Sequence, residues 1–146
     1  MKSLLRVALV AAVTIAGAIA GWGVASAETP SPKGAKVYII NLKDGDTVTS
    51  PFLVQFGLSG MGVAPAGVEK ANTGHHHLLI DTKLTPEQMK APMPSDAQHK
   101  HFGGGQTEAT ITLPKGKHTL QLVLGDWSHV PHSPPVMSQT TTITVQ

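Results

Sequence analysis

Three short segments of the chain place an apolar residue at every second position. They are residues 52–58, 109–113 and 118–124, where Phe, Val, Ile or Leu alternate largely with Gln, Thr or Gly. A period of two is typical of a strand that buries one of its faces. These segments therefore predict three half-buried β-strands.

Three further segments favour extended structure through their composition. Residues 36–41 and 75–81 are apolar runs that end at turn residues, and residues 140–145 are rich in β-branched side chains. Turn signals between these short strands, with almost no helical pattern, predict an all-β fold, an immunoglobulin-like antiparallel β-sandwich. The Cys…Trp…Cys arrangement of true immunoglobulin domains is missing, so the pattern predicts the architecture alone.

One short helical turn is predicted in the long loop that follows Asp81. Thr85 suits the N-cap, Pro86 the first helical position, and Gln88 the third position of a capping box. Pro92 then ends the turn, because proline cannot continue a helix.

The first 27 residues have the organisation of a secretory signal peptide. Lys2 and Arg6 provide a positively charged n-region. Val7–Ala20 is an apolar run of 14 residues, and Ala25–Ala27 is a small-x-small cleavage site. The alternative is an uncleaved anchor, but a bilayer span needs about 20 apolar residues. We therefore predict cleavage before Glu28 and a periplasmic or secreted protein without stable membrane insertion after processing.

Cleavage leaves 119 residues, which is enough for one domain with its own core. The Pro-rich residues 28–35 predict a flexible lead-in, and residues 36–146 form a single β-sandwich domain. Lys2 and Arg6 leave with the signal peptide, so that 9 basic residues face 9 acidic ones. This balance, without a basic stripe that carries aromatic residues, argues against nucleic-acid binding.

The chain contains no cysteine and 8 histidines, all of them in the mature part. Disulfides, thiolate catalysis and thiolate metal sites are therefore excluded, and so is a blue-copper site, which needs a Cys ligand. A metal ion would have to be bound by His, Met, carboxylate or backbone groups.

Seven of the eight histidines lie in three short segments. The segments are residues 74–77 (GHHH), 99–103 (HKHFG) and 126–132 (DWSHVPH). On a strand, residues i and i+2 face the same side at a spacing of about 6 to 7 Å. Each of the first two segments could therefore offer two imidazoles to one metal ion.

The predicted metal ligands are the histidines that could converge from these segments: His75, His77, His99, His101, His129 and His132. Met137 and Asp126 are further candidates, and Met93 also flanks a histidine segment. Imidazole suits copper and zinc, and thioethers suit Cu(I). We therefore predict a metal-binding protein for copper, with zinc as the second choice. Because neutral imidazole is the ligand, the metal affinity is expected to fall below about pH 6.5.

Two alternatives stay open. His76 and His118 have the positions of hydrogen-bonded structural residues, and the other histidines could form a network that braces the loops of an envelope interaction module. The other alternative is a metal-dependent enzyme. It has less support, because no general base, nucleophile, G-x-S-x-G elbow or phosphate-binding loop stands beside the histidines. We therefore expect a non-catalytic protein, and the sequence points to no partner protein.

Three segments also resemble one bacterial protein family. They are GHHHLLID (74–81), HKHFGGGQTE (99–108) and LPKGKHTLQLVLGDWSHVPHSPPVMS (113–138). The family is called domain of unknown function 4399, and the resemblance extends from about Lys36 to Val145. It implies an exported, periplasmic domain and no established activity. The function is therefore argued from the histidines, and the likeness to exported β-sandwich copper proteins is one of architecture.

Overall fold

The computed structural model describes residues 28–146, and the predicted signal peptide, residues 1–27, lies outside the described residues. Within 28–146 the only helical element is a 3₁₀ turn at Gln88–Lys90, and no helix there is long and apolar enough to cross a bilayer. The strands are β1 (Lys36–Ile39), β2 (Asp46–Val48), β3 (Phe52–Ser59), β4 (Gly62–Val63), β5 (Thr73–Ile80), β6 (His99–His101), β7 (Glu108–Ile111), β8 (Gly116–Gly125) and β9 (Thr141–Val145). The predicted all-β fold is confirmed.

The strands form two sheets. The smaller sheet has the order β1-β3-β7 and is antiparallel throughout. The larger sheet has the order β2-β9-β8-β5-β4, and β6 also pairs with β5. The two parallel pairs, β2 with β9 and β4 with β5, involve strands of only three and two residues. Strands this short carry too few residues for a period of two, so the sequence did not predict β2 and β4.

The main core lies between the two sheets. The smaller sheet contributes alternate residues of β3, and the larger sheet contributes alternate residues of β8. These residues are Phe52, Val54, Phe56, Leu120, Leu122 and Leu124, none of them more than 8% exposed. The faces that the period-two pattern assigned to these strands are therefore confirmed.

Strand β5 is buried on both faces. Leu78 and Ile80 point into the main core, whereas Leu79 points outward and packs against Met93 and Val123. Because both faces are covered, all residues of β5 after Thr73 are buried, and the strand lacks the alternation of apolar and solvent-exposed polar residues. The outer face of the larger sheet is therefore buried around Leu79 and Val123, where the segment that carries Met93 packs on it.

The predicted helical turn is present in a shorter form. The Gln88 amide N–H donates to Thr85 Oγ1 at 3.2 Å, and the Thr85 amide N–H donates to Gln88 Oε1 at 2.9 Å. These are the two reciprocal bonds of the capping box. The turn itself is of the 3₁₀ type and ends at Lys90, ahead of Pro92.

The lead-in is tied to the body of the domain. The Ser133 amide N–H donates to the Thr29 carbonyl at 2.9 Å, and the Ser31 amide N–H donates to the Ser133 carbonyl at 3.2 Å. The Ser31 hydroxyl also donates to the Pro134 carbonyl at 2.7 Å. A Pro-rich composition suggests flexibility, but it does not reveal a partner segment that is about a hundred residues away in the chain.

Candidate metal centre

Strand β5 presents His75 and His77 on the outer face of the larger sheet. In the β-ladder His77 lies opposite His101 of β6, and His75 lies opposite Gly125 of β8. Directly opposite residues share a face, as do residues i and i+2. Three imidazoles therefore project from one patch of the sheet, and a glycine lies beside them.

The fourth imidazole comes from the loop after β8. The Asp126 carboxylate accepts hydrogen bonds from the Ser128 hydroxyl and from the amides of Ser128 and Val130, each at 2.9 Å. The His129 amide N–H donates to the Asp126 carbonyl at 3.0 Å, and His129 has a φ of 70°, in the left-handed region that few non-glycine residues adopt. This tight turn places the His129 ring over β5.

The four side chains form one compact group, called the four-histidine cluster (His75, His77, His101 and His129). One nitrogen of each ring lies within 4.8 Å of those of the other three. His75 Nε2 is 3.0 Å from His77 Nε2 and 3.2 Å from His129 Nδ1. Nitrogen ligands that bind one ion at about 2 Å lie roughly 3 to 4 Å apart. The cluster could therefore hold a metal ion after small side-chain movements.

Burial lowers the pKa of three of the four imidazoles in the cluster. Burial, followed by the nearby imidazoles of His101 and His129, lowers the pKa of His75 to about 4. Burial, followed by His75, His101 and His129, lowers the pKa of His77 to about 2. Burial lowers the pKa of His101 as well. Protons therefore compete for these nitrogens at a lower pH than the usual histidine pKa of about 6.5 implies.

Two glycines make room for the rings. A Cβ atom on Gly125 would lie 2.8 Å from His77 Nε2, and a Cβ atom on Gly103 would lie 2.4 Å from His101 Cε1. Any larger residue at either position would displace an imidazole. The sequence pattern by itself gives no reason to assign either glycine to the site.

Two predicted ligands lie outside the cluster. His99 stands opposite Leu79 instead of a histidine, two residues along the ladder from the pair of His77 and His101, and its Nδ1 lies 2.9 Å from Asp96 Oδ1. Both ring nitrogens of His132 lie at backbone carbonyls, 3.3 Å from that of Leu124 and 3.1 Å from that of Thr73. His132 therefore has no nitrogen directed at the cluster.

The two further candidates also have other partners. Both carboxylate oxygens of Asp126 are hydrogen-bonded, Oδ1 within its own loop and Oδ2 to the Thr29 hydroxyl at 2.6 Å. Met137 pairs with Val123, which separates it from His77 in the sheet. Asp126 is therefore a positioning residue for His129, and Met137 belongs to the apolar group around Val123.

His76 and His118, to which the sequence assigned structural roles, both lie at hydrogen-bond distance from other groups of the protein. The His76 ring lies in the core against Phe56, with Nδ1 3.3 Å from the Gln106 carbonyl. His118 Nδ1 lies 2.6 Å from Asp81 Oδ2, and its Nε2 lies 2.9 Å from the Pro114 carbonyl. The bond to Asp81 raises the pKa of His118.

Thr29 is a positioning residue that sequence reasoning missed. Burial by itself would raise the pKa of the Asp126 carboxyl, but hydrogen bonds from Thr29, Val130 and Ser128 outweigh it and hold the pKa below its usual range. Thr29 therefore helps to keep the carboxylate that organises the His129 loop ionised. The signal for this contact is three-dimensional, since the two residues are far apart in the chain.

We expect Thr29→Val to loosen the His129 loop while the sheet stays intact. Loss of an outer-shell partner typically weakens metal affinity about 10- to 100-fold, and the lower end is expected here because Ser128 and Val130 still bind Asp126. Competition with a chromophoric chelator measures the change. Ser31→Ala is the matched control, since the Ser31 hydroxyl that it removes donates to the Pro134 carbonyl and not to Asp126. Equal affinities for Thr29→Val and Ser31→Ala would contradict the positioning role.

The fold and the site together define a small β-sandwich with a histidine cluster on the outer face of one sheet. The chain belongs to the family described as Domain of unknown function (DUF4399), whose model matches residues 54–146. The matched range includes the whole four-histidine cluster. No curated protein and no solved structure matches the chain.

Proposed function

We propose that the mature protein is an exported, non-catalytic copper-binding protein, with zinc as the second choice of ion. The observation that carries the proposal is the convergence of four imidazoles from β5, β6 and the loop after β8. Imidazole suits copper and zinc, and four nitrogen ligands suit tetragonal Cu(II). The lowered pKa values of His75 and His77 keep the ring nitrogens of these two residues available as ligands at neutral pH.

A binding role fits the side chains around the cluster better than catalysis does. Within residues 28–146 the cluster contains histidines only, and the Asp126 carboxylate, whose charge acts on His75, is held by the His129 loop and by Thr29. A metal-dependent hydrolase needs a base that can reach a metal-bound water. The Asp126 carboxylate has hydrogen-bond donors on both oxygens, which supports a structural role for it.

The second candidate function is a bracing network without metal. It is favoured by the direct contacts of His75 Nε2 with His77 and His129, which could be hydrogen bonds. However, a ring nitrogen of a neutral imidazole either donates one proton or accepts one with its single lone pair, so His75 Nε2 can form only one of these two contacts as a hydrogen bond. Buried polar networks stabilise a fold when every member is satisfied. The metal-binding role therefore accounts for the cluster better.

Calorimetric titration of the tag-free mature protein with Cu(II) and with Zn(II) tests the proposal. We expect binding of one ion per chain, tighter than about millimolar, with a raised melting temperature because the ion favours the folded state. Binding weaker than that for both ions, and for Cu(I) measured without oxygen, would reject the metal role. The bracing network would then explain the cluster.

Export is tested separately by mass spectrometry of the protein recovered from the periplasm or medium. We expect an N-terminus at Glu28, because the small residues Ala25–Ala27 follow the charged and apolar regions of a signal peptide. The proposal places Thr29, which bonds to Asp126, next to the new N-terminus. An exported form that still begins at Met1 would contradict the cleavage.

A further inference from the structure

A thioether lies beside the four-histidine cluster. A Cβ atom on Gly125 would be 2.8 Å from His77 Nε2 and 3.0 Å from Met93 Cε. The Met93 methyl group and a candidate ligand nitrogen therefore border the same small space above Gly125. The Met93 sulfur is bonded directly to that methyl carbon, and a methionine side chain has three rotatable bonds with which to reorient it.

Met93 is held at this place by the segment that carries it. Its amide N–H donates to the His129 carbonyl at 3.0 Å, which joins the Met93 segment to the loop of the fourth imidazole. Pro92 and Pro94 restrict the backbone on both sides. The side chain is 7% exposed and packs against Leu79 and Val123. The Met93 side chain is therefore fixed beside the cluster at a place shielded from water.

The other methionine of this apolar group is placed differently. Met137 pairs with Val123, and Val123 in turn pairs with His77, so that Met137 lies two strand spacings, about 10 Å, from His77 across the sheet. Both methionines pack against the same apolar residues, but the Met93 methyl group, and no atom of Met137, is among the three atoms nearest to a Cβ position on Gly125. The two residues therefore form a matched pair for experiment.

We propose that Met93 is a ligand of the four-histidine site and makes the site selective for Cu(I) over Zn(II). The inference rests on the proposed metal-binding function. Imidazoles accept Cu(II), Zn(II) and Cu(I), whereas a thioether is a soft ligand that favours Cu(I). The four histidines by themselves would not discriminate between these ions through ligand type, and the sulfur adds that discrimination.

The test compares the wild-type mature protein with Met93→Leu and Met137→Leu. Cu(I) affinity is measured without oxygen by competition with bicinchoninate, and Zn(II) affinity by competition with a chromophoric zinc chelator. Met93→Leu should weaken Cu(I) binding by about tenfold or more, which is about 1.4 kcal/mol. It should change Zn(II) affinity much less, and Met137→Leu should change neither. The exchange of Met for Leu conserves volume, so both variants should fold.

X-ray absorption of the Cu(I)-loaded wild type gives a second measurement that depends on no variant. The chain has no cysteine, so a copper–sulfur path in the spectrum must come from methionine. That path should vanish in Met93→Leu and persist in Met137→Leu. Cu(I) binding without a sulfur path, or with equal affinities in all three proteins, would overturn the role of Met93 and leave the histidine site standing. A wild type that binds none of the three ions would instead reject the proposed function.

Discussion

The double substitution His75→Ala/His77→Ala is expected to abolish tight metal binding by the mature protein. These side chains provide the two most deeply buried nitrogens of the cluster, and both are at most 1% exposed. His101 is exposed and His129 is half-buried, so a site reduced to these two would bind the ion in contact with water. We expect the affinity to fall by at least about 10³-fold, or about 4 kcal/mol.

The titration that tests this substitution needs a histidine control outside the cluster. The variant His99→Ala is a suitable control, because His99 lies on the same strand as His101 but its side chain contacts Asp96. It should bind the metal as the wild type does. If the double variant and the wild type bind alike, the cluster is not the site. Should neither bind, the bracing network predicts that the double variant is less stable than the wild type without any metal, since its hydrogen bonds are lost.

The second large effect is a loss of stability in acid for the metal-free domain. His75 and His77 have folded-state pKa values of about 4 and about 2, both below the value of about 6.5 expected in the unfolded chain. The unfolded chain therefore binds more protons below pH 6.5, and stability decreases as the pH falls. By pH 4, His75 by itself accounts for roughly 3 kcal/mol of this loss.

The titration of His118 has the opposite effect on the pH dependence of stability. Its pKa is raised by the bond to Asp81, so its contribution is fully present below the unfolded pKa and is lost as the pH rises through the folded value. Asp81 is partly exposed, and solvent screening reduces this contribution. The cluster should therefore dominate the acid response.

Denaturant unfolding between pH 7.5 and pH 4 in the presence of a chelator measures the acid response. The free energy of unfolding should fall steeply below pH 6.5 in the wild type. The variant His75→Gln/His77→Gln has no proton to gain at these positions, and its profile should be flatter. Parallel profiles for the two proteins would show that the buried histidines do not control the acid response.

Local sequence patterns determined the sandwich because a strand with one buried face records its orientation in every second residue. Phe52, Val54 and Phe56 marked the inner face of β3, and Leu120 and Leu122 marked that of β8, as the structure confirms. The capping box at Thr85 and Gln88 is likewise a local signal between residues three apart. The strands β2 and β4 carried no such signal, because each has three residues or fewer.

The histidine segments could be read from the sequence, but their convergence could not. The i, i+2 spacing put His75 and His77 on one face, and the same spacing offered His99 and His101 as an equivalent pair. Only the ladder register separates this second pair, since it sets His101 opposite His77 and His99 opposite Leu79. Register depends on which residues of two distant strands meet, and a strand pattern by itself does not contain it.

Tertiary structure also decided what surrounds the cluster. The space that Met93 shares with His77 lies above Gly125, and the bond from Thr29 to Asp126 joins the N-terminal lead-in to the His129 loop. The burial that lowers the pKa values of His75 and His77 depends on segments that are distant in the chain, among them the His129 loop and the Met93 segment that is bonded to it. The sequence by itself determined the strand faces, the helical turn and which side chains are able to bind a metal ion. Which of these side chains meet, and how far from water, depended on long-range packing, because each contact joins segments that no local pattern links.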